Sequence, residues 1–228
     1  MTIIITNIKQ DFQSLKENKI FKAFMKVAIP LFLFVPYYLA QSFLMSKAIV
    51  LNASGILLGI IVLIYDVQHQ KSNNTMSLRR KFAWVAIFLL IILATNIGIG
   101  MISKMLNQHI IQSFNNQSLS PAFKQYKIQA VIMTVFLAPI FEETIFRRNI
   151  ISFKSKRNFW ITYCLSIVLF IYSHLLNTPI ENLAYTSLYY IAPAICITSI
   201  YAITKDIRFS MLTHGLYNAI PALILLLQ

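Results

Sequence analysis

The sequence predicts an all-α fold, a polytopic transmembrane bundle of about seven to eight helices. Three observations lead there. Of the 228 residues, 57% are hydrophobic and only 12% charged, and the mean hydropathy is +0.66, more apolar surface than an ordinary soluble domain can bury. Several apolar stretches reach the roughly 20 residues that cross a hydrocarbon core as a helix, and backbone hydrogen bonding in lipid favours helices over open strands. The basic residues fall in short runs between those stretches.

Residues 1–26 read as a cytoplasmic leader. Lys9, Lys16, Lys19, Lys22 and Lys26 alternate with Phe12, Leu15, Ile20, Phe21 and Phe24 at near-helical spacing, which fits an amphipathic helix on the membrane surface and equally a simple solvated leader. No clear small-residue cleavage site follows, so the first apolar run is expected to be a retained span. Residues 27–228 form the single transmembrane domain, with spans expected at 27–45, 48–65, 82–104, 128–152, 159–176, 184–203 and 209–227.

Alternating these spans from a cytoplasmic N-terminus leaves only Lys47, Lys104, Lys124 and Lys127, of 20 Lys and Arg, on the outer side. This bias places the chain in the cell membrane as a multi-pass protein with its N-terminus inside. The same reading accounts for the net charge of +13 by topology, so no nucleic-acid partner is expected. Cys164 and Cys196 fall within spans, where cysteine packs as a small apolar residue. Asn107 to Ser120 reads as an outer loop, and His69 and His109 as solvated residues.

The chemistry concentrates within 128–228. The whole chain has seven Asp and Glu, and an acid near the bilayer centre costs at least about 2.5 kcal/mol, yet Glu142 and Glu143 stand side by side at the end of an apolar run. Glu143 and Arg147 are four apart, on one helix face as a possible ion pair. Glu142 is rotated about 100° away and faces elsewhere. Pro139 upstream kinks the span and releases the carbonyl of Val135.

Glu142 and His174 lie symmetrically about the basic turn Lys154 to Asn158. A helical hairpin folded there brings the two to one depth, about 15 to 20 Å from the cytoplasmic end, within the membrane. His214 and Asn218, four apart on the last span, share a face and join the same cavity if they point inward. The plain readings are a structural ion pair, an interfacial cap and interhelical hydrogen bonds. Jointly these residues supply a base, two imidazoles, an amide and a cation.

Three patterns in order, Glu142-Glu143-x-x-x-Arg147, Phe170-x-x-x-His174 and His214-x-x-x-Asn218, resemble the EExxxR, FxxxH and HxxxN motifs of the CAAX-protease and bacteriocin-processing (CPBP or Abi) family of intramembrane proteases. The resemblance covers residues 142–218; the N-terminal half matches only as a set of spans. It implies an intramembrane endopeptidase acting on a peptide or protein tail at the bilayer, in bacteriocin or signal-peptide maturation or self-immunity. Glu142 would be the general base, with His174 orienting the water. His214 and Asn218 would donate to the oxyanion, Arg147 would hold Glu143, and Phe170 would pack against the cavity.

The family is also named among metalloproteases, which leaves two routes. Either no ion is required, or Zn²⁺ is held by Glu142, His174 and His214 with water in the fourth position. Two other classes fit the composition. A non-catalytic immunity or scaffold protein would bind a peptide or its receptor, and a small transporter would use its intramembrane acids as an ion path. The chain has no nucleotide-binding G-x-x-x-x-G-K-[ST] loop, so such transport would be secondary or driven by a partner.

Overall fold

The computed structural model describes residues 35, 39, 49–68, 75–105, 126–176 and 178–227. All its regular elements are helical: α1 Ile49–Gln68, α2 Leu78–Met105, α3 Lys127–Arg148, α4 Lys156–Leu175, α5 Leu183–Thr204 and α6 Ile207–Leu226. Five of these, α2 to α6, are long and apolar enough to cross a membrane, and α1 is apolar over Asn52–Gln68. Six of the seven expected spans are thus found within a few residues of their expected bounds. The leader, the 27–45 span apart from Val35 and Leu39, the outer loop, His69 and His109 lie outside the described residues, so a count of seven to eight is not reached among them.

The helix ends have local causes. Ser155 caps α4, its hydroxyl accepting from the Asn158 amide at 3.2 Å, and the Asp206 carboxylate caps α6 by accepting from the Arg208 amide at 3.2 Å. Only Lys205 and Asp206 join α5 to α6. So sharp a reversal needs a left-handed residue, and Lys205 takes that role with φ 50°, the conformation that closes many helices.

α3 is the central element. α1 packs on one side of it, α4 meets its C-terminal turn, and α6 runs along most of its length. α2 and α5 complete the bundle, each packing on α6 and on the other. Between α1 and α3, Val62 meets Met133, Leu137 and Phe141. Between α3, α4 and α5, Ile145 and Phe146 meet Phe170 and Ala194. Lipid tails are as apolar as these side chains, so close van der Waals fit and hydrogen bonds hold such contacts. Large apolar residues of α2 and α4, among them Leu90, Ile97, Trp160 and Val168, face outward.

The basic helix ends gather at one end of the bundle, where two buried aspartates tie them together. Asp206 pairs with Lys81 of α2 at 3.0 Å and with Arg208 at 2.9 Å. Asp66 of α1 pairs with Arg148 of α3. Both acids are wholly buried, while Arg79, Arg80, Lys154, Lys156, Arg157, Lys205 and Arg208 are exposed. Cys164 is exposed, Cys196 is buried, and both are free thiols.

Candidate active site

The acids sit on an irregular helix. α3 widens from α-helical to π-helical over Ile132–Leu137, returns to α over Ala138–Glu143, and widens again over Thr144–Arg148. Such wide turns mark functional sites more often than chance. Between the two lies the α-helical turn that carries Glu142 and Glu143, and it begins with Pro139, whose ring nitrogen cannot donate.

The expected residues converge. Glu143 Oε1 accepts from Arg147 Nη1 at 3.1 Å and lies 2.9 Å from His214 Nδ1. Arg147 is wholly buried, its guanidinium stacked 4.1 Å from the centre of the Phe170 ring, an arrangement that favours a cation. Phe170 also contacts the rings of His174 and His214, at 4.3 Å and 5.8 Å, so it sets the spacing of both imidazoles. Glu142 turns to the other side: its Oε2 lies 3.7 Å from His174 Nε2 and 3.9 Å from His214 Nε2. The side chains of Glu142 and His174 keep 11% and 15% exposure, against none for Glu143 and Arg147, so the site opens at the first pair.

Hydrogen-bond chemistry assigns the imidazole edges. His174 Nδ1 lies 2.9 Å from the Phe170 carbonyl, which can only accept, so Nδ1 carries the hydrogen. His214 Nδ1 faces a carboxylate and likewise donates. In the neutral ring each Nε2 is then an acceptor turned toward Glu142, and a ring that gains a proton becomes a donor there. The gaps of 3.7 and 3.9 Å exceed a direct hydrogen bond and suit one bridging water.

The hairpin is asymmetric. Glu142 lies six residues, about 9 Å of helix rise, from Arg148, whereas His174 lies 18 residues, about 27 Å, from the start of α4. The two meet because α3 stops at Arg148 and residues 149–155 form an unwound connection. Glu142 and His174 do come together, but at unequal distances from the turn that joins their helices.

Pro139 frees a different carbonyl from the expected one, and Asn218 makes the interhelical hydrogen bond to it. The Asn218 amide nitrogen donates to the Thr134 carbonyl at 3.0 Å. In a π-helical turn the partner of a carbonyl lies five residues ahead, and for Thr134 that residue is Pro139. The proline therefore frees Thr134, one position earlier than an α-helical register implies, and α6 supplies the missing donor. The Val135 carbonyl instead faces Gly215, where a Cβ would lie 2.6 Å from its oxygen. In this arrangement Asn218 supports α3, with one of its amide hydrogens committed away from the site.

No three His, Cys, Asp or Glu among the described residues form a group that could hold a metal ion. Zinc bonds oxygen and nitrogen at about 2.0 to 2.2 Å, so its ligands must surround a common point. Here Glu142 Oε2 itself occupies the point that both imidazoles face. The set Glu142, His174 and His214 therefore does not fit Zn²⁺ in this arrangement.

Two residues at the site lie outside the three sequence motifs. Tyr190 of α5 packs its ring at a tilt against His174, the ring centres 4.7 Å apart, and nothing in its local sequence marks it. Asp66 carried a signal, because it is one of few acids and follows an apolar run; the expected span ended one residue before it.

The fold and the site together define a multi-pass membrane protein with an acid, imidazole and guanidinium cluster inside its helical bundle. Residues 124–220 match the model of the Rce1-like family, described as type II CAAX prenyl endopeptidase Rce1-like. The chain is 33% identical over 87 residues to the UPF0177 protein YbdI of Lactococcus lactis subsp. lactis (strain IL1403), covering 38% of this chain and 44% of that protein. It is also 33% identical over 126 residues to the UPF0177 protein in abiGi 5'region of Lactococcus lactis subsp. cremoris, covering 50% and 51%. The chain thus spans about half the length of the curated relatives it matches. No solved structure matches it.

Proposed function

We propose that this protein is an intramembrane endopeptidase that hydrolyses a peptide bond in a membrane-associated peptide or protein tail, such as a bacteriocin or signal-peptide precursor. The observation that carries this reading is the approach of both imidazole Nε2 atoms to one carboxylate oxygen, Glu142 Oε2, at 3.7 and 3.9 Å. A water in that gap can donate one hydrogen to the Glu142 carboxylate and the other to the His174 Nε2, which is the environment of a nucleophile about to lose a proton.

Glu142 takes a proton from this water while its oxygen attacks the peptide carbonyl carbon, and His174 orients it. The negative charge that appears on the carbonyl oxygen needs a donor. His214 serves as one in the enzyme form that has already taken a proton at Nε2 from solvent and keeps it through the step, its other edge held by Glu143 as a carboxylate holds a catalytic imidazole. The carbon–nitrogen bond then breaks as Glu142 returns its proton to the leaving amine. Glu143, Arg147 and Phe170 position His214, and Asn218 positions α3. The basic end of the bundle faces the cytoplasm, in line with its exposed lysines and arginines.

The test uses purified protein in nanodiscs and two quenched fluorescent peptides, each ending in Cys, two aliphatic residues and a variable residue, one prenylated and one not. Mass spectrometry of peptides from cells producing the same variants accompanies it. Glu142→Gln and His214→Ala are expected to lose at least about 100-fold in cleavage at unchanged membrane levels. Equal peptide profiles in wild type and both variants would contradict the reading and favour a binding protein in which the cluster only packs helices.

A further inference from the structure

The acids and imidazoles of the site all lie within residues 124–220, yet α3, which carries the acids, is gripped from outside that segment. At its C-terminal turn Asp66 of α1 is wholly buried and makes three contacts with it. One carboxylate oxygen meets the Thr144 hydroxyl and the other meets Arg148 Nη1, while the Asp66 carbonyl accepts from the same Nη1 at 2.6 Å. Tyr65 lies under the Arg148 guanidinium at 5.1 Å, so two successive residues of α1 hold one arginine.

Thr144 and Arg148 are the first and last residues of the π-helical turn Thr144–Arg148. The Asn149 amide closes that turn on the Thr144 carbonyl at 3.2 Å, and the Asn149 side chain donates to the same carbonyl at 2.7 Å. A π turn is less stable than the α turn it replaces and persists where its surroundings hold it. Rewinding it to α would rotate every residue beyond Thr144. Arg147 would leave the Phe170 ring, and its i,i+4 contact with Glu143 would be re-set together with the way Glu143 meets His214.

We propose that Asp66 is a positioning residue for the site: by pinning both ends of this π turn, it fixes where Arg147 lies and hence how Glu143 presents His214. The part of the chain outside the family match thereby contributes to the site's geometry. The proposal rests on the endopeptidase reading for its catalytic consequence, but not for its structural one.

Removing the acid alone would strand Arg148, a loss of stability that says little about position. The informative variant is therefore Asp66→Asn with Arg148→Gln, which removes both charges and is expected to restore membrane level and melting temperature to near those of wild type. Hydrogen exchange by mass spectrometry on protein in nanodiscs is expected to show faster exchange at amides 144–149, with 208–222 unchanged. Cleavage of the prenylated peptide is expected to stay at least about tenfold below wild type. A role confined to stability predicts that cleavage recovers with melting temperature, and either wild-type exchange or wild-type cleavage in the double variant overturns the proposal. If the wild type itself cleaves nothing, the endopeptidase reading fails, and the exchange result alone decides the positioning claim.

Discussion

At the scale of single residues, spacing predicted most of the site because a helix converts sequence separation into direction. Four residues placed Arg147 beneath Glu143, and adjacency turned Glu142 toward His174, with His214 between the two acids. The acceptor of Asn218 is something that spacing cannot carry. The direction of the side chain is right, but the nearest acceptor is a backbone carbonyl that exists only because α3 is π-helical and Pro139 has no hydrogen to give. A testable coupling follows. Asn218→Ala leaves the Thr134 carbonyl without its donor and is expected to destabilise by about 1 to 3 kcal/mol. In a Pro139→Ala background, residue 139 regains an N–H that can serve Thr134, so the same change should cost markedly less. A double-mutant cycle on thermal unfolding measures the difference; additive effects would refute this role for Asn218.

At the scale of elements, the helices were legible because their apolar runs are long and bounded by clusters of basic residues. The breaks within α3 were not, since a π turn leaves the hydropathy pattern of a span unchanged. What reveals them is packing. Gly59 lets α1 approach Leu137, and Gly215 lets α6 approach the Val135 carbonyl, so α3 is flanked by a close contact on each side. The second is the stricter, because a backbone oxygen cannot swing aside as a leucine can. Gly215→Ala should therefore separate α6 from α3, destabilise by about 1 to 3 kcal/mol and, by moving His214 from Glu143, reduce cleavage more than stability alone explains. Melting temperature and cleavage rate measured on one preparation check both, and a variant equal to wild type in both would show that α6 does not need this contact.

At the scale of the whole molecule, the bundle is tied at its basic end by two buried aspartates, and the site lies inward from that knot. Asp206 joins α2 to the α5–α6 turn through Lys81 and Arg208, and Asp66 joins α1 to α3 through Arg148. The composition foretold a membrane bundle and its charge asymmetry, but not this knot, because the partners are up to 125 residues apart in sequence and meet only once the helices assemble. Asp206→Asn leaves Lys81 buried without its counter-charge and removes the charged cap of α6. Breaking a buried pair from one side typically costs about 3 to 5 kcal/mol, so the variant should show a lower melting temperature and reduced membrane levels. A second change, Lys81→Met, should recover part of that loss, and no recovery would mean that the cap rather than the ion pair holds this corner.

The central claim is that Glu142 activates water within this bundle, and the most direct measurement compares wild type with Glu142→Gln. Both proteins, matched for folded amount in nanodiscs, are given the prenylated fluorescent peptide, and the initial rate of cleavage is read. The amide keeps the shape of the side chain but is a far weaker base, so the variant should retain the wild-type melting temperature and lose at least about 100-fold in rate. A Glu142→Gln protein that cleaves at the wild-type rate would contradict the account.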